Sequence, residues 1–337
     1  MVTMNHTLQR HQPCSEAMLR GPAPGGGRCG RHGHRLRPQV TAPRLCIGSA
    51  IYKNDGMFRL ISTQGRAALQ NGQHWHDLAA LSGDAALADP MVAIARFAEL
   101  HHWQQATEGR TPDGTVDPAS LDNPVPRPQK VFAIGLNYGR HAAETGAQLP
   151  PSPLTFTKFP SCLVGPTADI ELSGDTVDWE VELVVVIGTG GRNISREQAW
   201  SHVAGLTLGQ DISDRTVQRA GVPPQFSLGK SFDTYGPLGP AIVSVDAFPN
   251  PDDIGVWCDV AGERMQDGRT DDLIFDVAHL VSYLSGICTL VPGDIIFTGT
   301  PDGVGMARGR FLQDGELVES GAEVIGTLSN RCVASTH

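Results

Sequence analysis

The sequence is short of aromatic residues and of positive charge. Aromatic residues make up 6% of the 337 residues, and 26 Lys and Arg stand against 36 Asp and Glu, for a net charge of −10. Few aromatic side chains argue against a base-stacking surface, and an acidic balance argues against binding to phosphate backbones. We therefore expect no nucleic acid partner.

Long apolar runs and paired cysteines are also missing. No run approaches the roughly 18 residues of a transmembrane helix, so we expect no membrane partner. The seven cysteines are widely spaced and include no CxxC pair, which argues against a disulfide framework and a zinc site. Reduced thiols are typical of cytoplasmic proteins, and we expect that location.

The charge is distributed unevenly along the chain. Residues 1–56 carry eight Lys and Arg against two acids, which by subtraction leaves 18 against 34 for residues 57–337. The first segment is rich in Gly, Pro and Arg, and its few large apolar residues predict a disordered basic leader. Arg-rich, acid-poor leaders are also typical of organellar transit peptides, but the Gly and Pro runs would interrupt the amphipathic helix that such a peptide needs.

The remaining chain divides into a small N-terminal domain at 57–125 and a larger domain at 130–335. Short strand-like runs between turn residues predict an antiparallel meander from Phe58 to His76. In the larger domain, one strongly amphipathic helix is expected within residues 271–286, and a shorter helix at about Ser195 to Ser201. Strands outnumber helices without regular alternation, so we predict an α+β, mainly β fold with a mixed β core.

Three acidic residues lie where predicted strands begin or end. Glu180 and Glu182 are two apart in a strand-like run, so their carboxylates share one face, and Asp211 follows another apolar strand. Three carboxylates would suit Mg²⁺ or Mn²⁺. The alternative is that these acids are solvated strand faces and turn residues, and spacing alone does not exclude it.

Two further groups could take part in chemistry. His141 and Glu144 are three apart, so in a helical turn the carboxylate could fix the imidazole tautomer and raise its basicity. Lys230 lies in a Gly- and Pro-rich loop, where a cation could hold a substrate carboxylate or an oxyanion. A surface ion pair and a solvated lysine are the simpler interpretations of these residues.

Five motifs occur in an order and spacing that resemble the fumarylacetoacetate hydrolase family, in its shorter bacterial acylpyruvate hydrolase and 2-hydroxyhepta-2,4-diene-1,7-dioate isomerase types. They are GLNYGRHAAE (135–144), the ExE of Glu180 and Glu182, GQDISDRTVQ (209–218), LGKSFDTYGPLGP (228–240) and PGDIIFTGTPDGVG (292–305). The resemblance is strong over residues 130–333 and weak over 57–123. It implies a mixed β-roll for the larger domain, a homodimer and a divalent metal.

The resemblance also implies roles for individual residues. The carboxylates of Glu180, Glu182 and Asp211 match the family's metal ligands, the pair of His141 and Glu144 its water-activating dyad, Lys230 its active-site lysine, and Gln218, Thr300 and Arg215 its substrate contacts. The expected ion is Mg²⁺, with Mn²⁺ or Ca²⁺ as alternatives. One departure is Arg140, where an acidic residue is more usual before the histidine.

The expected activity is Mg²⁺-dependent hydrolysis of a C–C bond in a 1,3-diketo acid, an acylpyruvate such as fumarylpyruvate. The metal would act as a Lewis acid toward the 2-oxo acid end, and His141 with Glu144 would activate water. The same site would serve an isomerase or decarboxylase of 2-hydroxymuconate-type or oxaloacetate-like diacids, which we keep as an alternative. A non-catalytic binding protein is a third possibility, and it predicts no metal dependence.

Overall fold

The protein is described by a computed structural model for residues 56–145 and 148–335. These residues all lie in one compact unit. The basic leader predicted at 1–56 lies, apart from Gly56, outside the described residues.

Strands are the main elements of the described chain, and helices are fewer and shorter. The strands are β1 (Arg59–Thr63), β2 (Arg66–Asn71), β3 (His74–Asp77), β4 (Gly114–Thr115), β5 (Leu121–Asp122), β6 (Val131–Gly135), β7 (Leu154–Thr157), β8 (Leu163–Val164), β9 (Ile170–Leu172), β10 (Val177–Asp178), β11 (Val181–Ile187), β12 (Val203–Gln210), β13 (Ser213–Asp214), β14 (Gly236–Val243), β15 (Gly255–Val260), β16 (Glu263–Arg269), β17 (Ile295–Phe297), β18 (Leu317–Ala322) and β19 (Gly326–Ala334). The helices are α1 (Leu78–Ser82), α2 (Pro90–Ala95), α3 (Phe97–Gln105), α4 (Gly139–Thr145), α5 (Arg215–Gln218), α6 (Phe226–Gly229), α7 (Val277–Ile287) and α8 (Gly305–Arg308).

Most strands belong to one mixed sheet. Its twelve strands follow the order β4-β3-β2-β1-β14-β12-β11-β17-β6-β7, with β5 on β1 and β8 on β14. A second sheet of five strands has the order β16-β15-β18-β19-β9, and β10 pairs with β13. Parallel pairs occur at β17–β6, β14–β8 and β19–β9. This confirms the α+β, mainly β fold with a mixed β core.

The meander predicted from Phe58 to His76 is confirmed as β1, β2 and β3, which pair antiparallel. Strand β1 also pairs with β14, so the N-terminal strands extend the large sheet. The domain boundaries at 57–125 and 130–335 stay a prediction.

Strand β11 is buried along its whole length and separates two hydrophobic clusters. Val181, Leu183 and Val185 belong to one cluster, whereas Val184 and Val186 belong to the other. Successive side chains of a strand point to opposite faces, which explains this alternation. Burial of each side chain of this size stabilises the fold by roughly 1.5–3 kcal/mol, so β11 contributes strongly to the stability of the core.

The helices begin where capping groups are available. Helix α7 starts after Asp276, whose carboxylate accepts a hydrogen bond from the His279 backbone N–H at 2.7 Å. Residues 271–276 of the range predicted for this helix, Leu273 among them, therefore lie before the first turn. The helix predicted at about Ser195 is a 3₁₀ segment, Arg196–His202, and Ser195 makes no side-chain capping bond.

Two further predictions from the sequence concern the cysteines and membrane-spanning helices. The four described cysteines, Cys162, Cys258, Cys288 and Cys332, are free thiols, as expected. Among the residues that the structure describes, no helix combines the length and the apolar character needed to cross a bilayer.

Candidate active site

The topology of the large sheet brings four chain segments to one edge. Strands β6 and β17 are parallel, so the segments that follow them lie at the same edge. Strand β11 is antiparallel to β17, so its first residues lie there too. Strand β12 is antiparallel to β11, which places the residue after β12 beside the start of β11. The candidate site is built at this edge.

The three predicted carboxylates meet there. Val181 pairs with Gln210 in the β11–β12 ladder, and the Asp211 backbone N–H donates to the Glu180 carbonyl oxygen at 2.9 Å. One ligand atom from each of Glu180, Glu182 and Asp211 lies within 4.8 Å of the others. All three residues are buried, which rules out the interpretation of them as solvated strand faces and turn residues.

Two buried lysines neutralise part of this charge. The Lys230 ammonium lies 2.8 Å from Glu180 Oε2 and 2.7 Å from Asp211 Oδ2. The Lys158 ammonium lies 2.7 Å from Asp211 Oδ1 and also donates to the Lys230 carbonyl oxygen. Lys230 thus binds two of the three carboxylates.

Arg215 forms the other side of the cluster. Helix α5 begins at this residue, where the Asp214 carboxylate caps the helix by accepting from the Val217 N–H. The Arg215 guanidinium lies 2.7 Å from both Asp178 Oδ2 and Glu180 Oε1. It also donates to Gln218 Oε1 at 2.9 Å. Because the amide oxygen of Gln218 faces Arg215, its amide nitrogen points away from the guanidinium.

These contacts set the ionisation of the carboxylates. Burial alone would raise the pKa of Glu180, but the charges of Lys230 and Arg215 outweigh burial and lower this pKa to about 2. Burial would lower the pKa of Lys230, but Asp211 and Glu180 outweigh it and raise this pKa, so the ammonium stays charged. Burial and the charges of Asp211 and Glu180 hold the pKa of Glu182 well above its usual range.

Glu182 is the member of the group that suits a metal ion best. Its Oε2 accepts from the Gly299 backbone N–H at 2.7 Å, but no salt bridge reaches it within the described residues. Asp178, Glu180, Glu182 and Asp211 provide four carboxylates, against the three cations Lys158, Lys230 and Arg215. The oxygen-only donor set fits a divalent cation such as Mg²⁺ or Mn²⁺, and with Glu182 ionised the cluster has an excess of negative charge that such an ion would balance.

The second predicted pair lies beside the carboxylates. His141 and Glu144 are on α4, and His141 Nδ1 lies 3.3 Å from Glu144 Oε2. The Glu144 carboxylate is held in turn by the Gly303 backbone N–H, 3.2 Å from both oxygens. His141 is 7% exposed, and it lies on the segment after β6, at the end of the sheet where β11 begins.

Thr300 has a supporting position. Its hydroxyl donates to the Val181 carbonyl oxygen at 2.8 Å and accepts from Gln266 Nε2 at 2.7 Å. Gln266 Oε1 also accepts from the Val181 N–H at 3.0 Å. The family resemblance implied that Thr300 contacts substrate. In the structure, its hydroxyl proton is donated to Val181 and holds the 298–303 segment on β11.

Sequence reasoning missed two members of the cluster. Asp178 lies two residues before Glu180, so the alternation that singled out Glu180 and Glu182 extends to it, and this signal was available. Lys158 follows the short strand β7 and had no such signal. Its partner, Asp211, is 53 residues away along the chain.

Known proteins resemble this chain over more than half of its length. Residues 130–333, more than half of the chain, match the sequence profile of the fumarylacetoacetate (FAA) hydrolase C-terminal family. The mitochondrial oxaloacetate tautomerase FAHD2B of Bos taurus is 44% identical over 214 residues, which cover 62% of this chain and 68% of the relative.

Two solved structures share the fold over most of the chain. One, from Mycobacterium smegmatis and described as an HpcE protein, is 43% identical with a TM-score of 0.78, covering 82% of this chain and 99% of its own. Another is maleylpyruvate hydrolase from Sphingobium sp. SYK-6, in complex with manganese(II) and pyruvate. It is 30% identical with a TM-score of 0.68, covering 82% of this chain and 100% of its own.

Arg215→Met tests the dependence of the fold on the buried ion pairs. The change leaves Asp178 and Glu180 without their shared cation, and removal of one partner of a buried ion pair costs about 3–5 kcal/mol. We expect a loss of that size in the free energy of unfolding, measured by urea denaturation. Arg215→Lys keeps the charge, so its free energy of unfolding should fall by less. Equal falls in both variants would contradict a charge effect.

Proposed function

The chain belongs to the fumarylacetoacetate hydrolase family of enzymes, and on that premise we propose that it is a divalent-metal-dependent enzyme acting on a 2-oxo acid with a second acidic or carbonyl group. The observation that carries this proposal is the charge balance of the buried cluster. Four carboxylates face three cations, so a bound divalent ion would leave one net positive charge. An anionic substrate would then complete the site.

The residues that would hold the ion are Glu180, Glu182 and Asp211. When bound, the ion would act as a Lewis acid toward the carbonyl oxygen of the 2-oxo acid. Mg²⁺ is our proposed ion, with Mn²⁺ or Ca²⁺ as alternatives, because all three donors are carboxylate oxygens. Lys158, Lys230 and Arg215 would fix the orientation of these carboxylates through their ion pairs.

His141 is the group proposed to move the proton. A proton on its Nδ1 would be donated to Glu144, and the lone pair of Nε2 would act as the base. Lys230 cannot take this role, because the two carboxylates that bind it keep it protonated. Gln218 is our proposed donor to a substrate oxygen, since Arg215 is engaged in ion pairs and the Thr300 hydroxyl proton is used within the protein.

The proposed reaction is keto–enol tautomerisation of an oxaloacetate-type diacid. His141 would remove a proton from the methylene carbon next to the 2-oxo group, and the carbonyl oxygen would take up a proton to give the enol. The resemblance to oxaloacetate tautomerase FAHD2B supports this choice. The sequence alone favoured hydrolysis, so this resemblance reverses the order of the two candidate reactions.

Hydrolysis of an acylpyruvate is the second candidate. The observation in its favour is the His141–Glu144 pair, because a carboxylate-oriented imidazole can equally deprotonate a water molecule. The likeness to maleylpyruvate hydrolase supports it as well. Water would attack the distal carbonyl, and the products would be pyruvate and a carboxylic acid.

Glu182→Gln tests the metal site. We expect roughly tenfold or greater loss of Mg²⁺ and Mn²⁺ affinity by titration calorimetry, because the variant loses a charged ligand. The metal-free variant should unfold at no lower temperature, since Gln replaces a buried carboxyl that has no cationic partner. Glu171→Gln, on the exposed side of β9, is the matched control and should bind metal like the wild type. Unchanged affinity in Glu182→Gln would exclude the proposed ligand set.

His141→Ala tests the proton-transfer role and the reaction type. With Mg²⁺ present, we expect turnover of the preferred substrate to fall about 10²–10⁴-fold, the usual contribution of a positioned acid–base group. NMR of oxaloacetate, an acylpyruvate and a hydroxymuconate would show whether the wild type interconverts tautomers, cleaves a C–C bond or releases CO₂. His74→Ala, an exposed residue on β3, should be fully active. If His141→Ala retained wild-type turnover, His141 would not be the base.

We propose that two copies of the chain associate. Exposed apolar side chains occur on two segments, with Leu154 and Phe159 on one and Leu228 and Phe232 on the other. Hydrogen bonds from the Thr157 and Phe159 backbones to the hydroxyls of Ser227 and Ser231 bring these segments together. Exposed apolar side chains that are grouped on neighbouring segments are typical of association surfaces.

Light scattering should therefore give twice the chain mass of 35.9 kDa. Leu228→Glu places a charge in the patch and should return the protein to the mass of one chain. Ile287→Glu, an exposed apolar residue at the end of α7, should leave the mass unchanged. A wild-type mass of 35.9 kDa would refute the association.

A further inference from the structure

Helix α4 carries His141 and Glu144, but the residue before it has no capping side chain. The first N–H groups of a helix have no partner inside it, and a Ser, Thr, Asp or Asn side chain usually accepts from them. Here Tyr138 precedes the helix, and its carbonyl oxygen accepts from the Ala142 N–H at 3.0 Å. The N–H groups of the first turn therefore need a side-chain acceptor from elsewhere in the fold.

Asp272 supplies this acceptor from 132 residues further along the chain. Its Oδ2 accepts from the Arg140 backbone N–H at 3.0 Å. The carboxylate lies so close to the start of the helix that a Cβ added at Gly139 would be 3.1 Å from Asp272 Oδ1. A negative charge at a helix N-terminus also interacts favourably with the helix dipole. Asp272 thus caps the helix that carries the proposed base, and the mechanism above gives it no role.

The segment that carries Asp272 is anchored to the chain before β15. It follows β16 and begins with the 3₁₀ segment Thr270–Asp272. The Thr270 hydroxyl accepts from the Ile254 N–H at 2.9 Å, and the Thr270 N–H donates to the Ile254 carbonyl oxygen at 3.0 Å. The Asp272 carboxylate therefore projects from a backbone that is itself held in place.

The continuation of this segment is bound to Asn137, just before α4. The Asn137 carbonyl oxygen accepts from the Ile274 N–H at 2.8 Å. The Asn137 side-chain oxygen accepts from the Phe275 N–H at 2.9 Å, and its amide nitrogen donates to the Phe275 carbonyl oxygen at 3.0 Å. The same amide nitrogen donates to the Thr298 carbonyl oxygen at 2.7 Å. Residues 272–275 thus hold the chain on both sides of the start of α4.

We propose that Asp272 is a positioning residue, which holds α4 in the orientation that His141 needs for proton transfer. The inference rests on the proposed function, since that function assigns the proton transfer to His141. Loss of the cap would allow the first turn of α4 to open, and a displacement of a reacting group by about 1 Å can cost roughly 10²-fold in rate. The proposed metal ligands are held by their own ion pairs, so the effect should fall on proton transfer and not on metal binding.

The test compares Asp272→Ala with Asp272→Asn in the full chain with Mg²⁺ and the preferred substrate. Ala removes the acceptor, so we expect kcat to fall about fivefold to tenfold, the size that corresponds to a lost helix cap, at nearly constant KM. Asn keeps a side-chain oxygen and caps helices about as well as Asp, so Asp272→Asn should recover most of the lost kcat. Mg²⁺ affinity, measured by calorimetry, should equal that of the wild type in both variants.

Asp89→Ala is the matched control. Asp89 caps α2 by accepting from the Met91 N–H at 2.9 Å, and α2 carries none of the proposed site residues. Hydrogen exchange without substrate, read by mass spectrometry, should become faster in α4 for Asp272→Ala and in α2 for Asp89→Ala. Only Asp272→Ala should lose kcat, because a lost cap lowers activity only where the helix carries the base.

Each contrary outcome has a definite meaning. Wild-type kcat in Asp272→Ala would overturn the inference and leave the proposed function standing. Equal losses of kcat in Asp272→Ala and Asp272→Asn would also overturn it, because they would assign the effect to the charge of Asp272 and not to the cap. Weaker Mg²⁺ binding in Asp272→Ala would contradict it as well. If the wild type turns over none of oxaloacetate, an acylpyruvate and a hydroxymuconate, the proposed function fails, and the inference fails with it.

Discussion

The ion pairs of Lys230 with Glu180 and Asp211 are the interaction on which the site depends. Carboxylates inside a β core are unfavourable unless cations and hydrogen bonds compensate for the lost water. Lys230 joins the start of β11 to the end of β12, and Lys158 and Arg215 extend the network on either side. Because each cation binds a different carboxylate oxygen, the carboxylates are fixed in orientation before any ligand binds.

The cations compensate for the charge of Glu180 and Asp211 but not for that of Glu182, and this suits the binding of a metal ion. Glu180 and Asp211 are each bound by two cations, but Glu182 receives only the Gly299 N–H within the described chain. The alternation of β11 explains why Glu182 is nevertheless buried, since the residues on both sides of it belong to a closely packed strand. The uncompensated negative charge of Glu182 favours a divalent cation there. Burial of this carboxylate costs free energy of folding, which the packing of the rest of the core offsets.

The sequence predicted the carboxylates better than their partners. A spacing of two in a strand puts Glu180 and Glu182 on one face, and the end of an apolar strand places Asp211 at the sheet edge. Local periodicity therefore singled out these three residues, and the resemblance to the family was needed to predict them as metal ligands. Lys158 could not be recognised, because its role depends on a contact with Asp211 made across the fold. The roles of Thr300 and Arg215 were not visible for the same reason: tertiary contacts decide whether a polar group faces substrate or another protein atom.

The segment after β17 connects the two halves of the site. Its Gly299 N–H binds the carboxylate of Glu182, and its Gly303 N–H binds the carboxylate of Glu144. Gly299 has φ +105° and Gly303 has φ +100°, a backbone conformation that other residues rarely adopt, so both positions favour glycine. The distance between a proposed metal ligand and the proposed base pair is therefore set by five residues of backbone rather than by flexible side chains. The parallel pairing of β17 with β6 fixes this segment beside the one that carries His141, so the sheet itself supports the geometry of the proposed site.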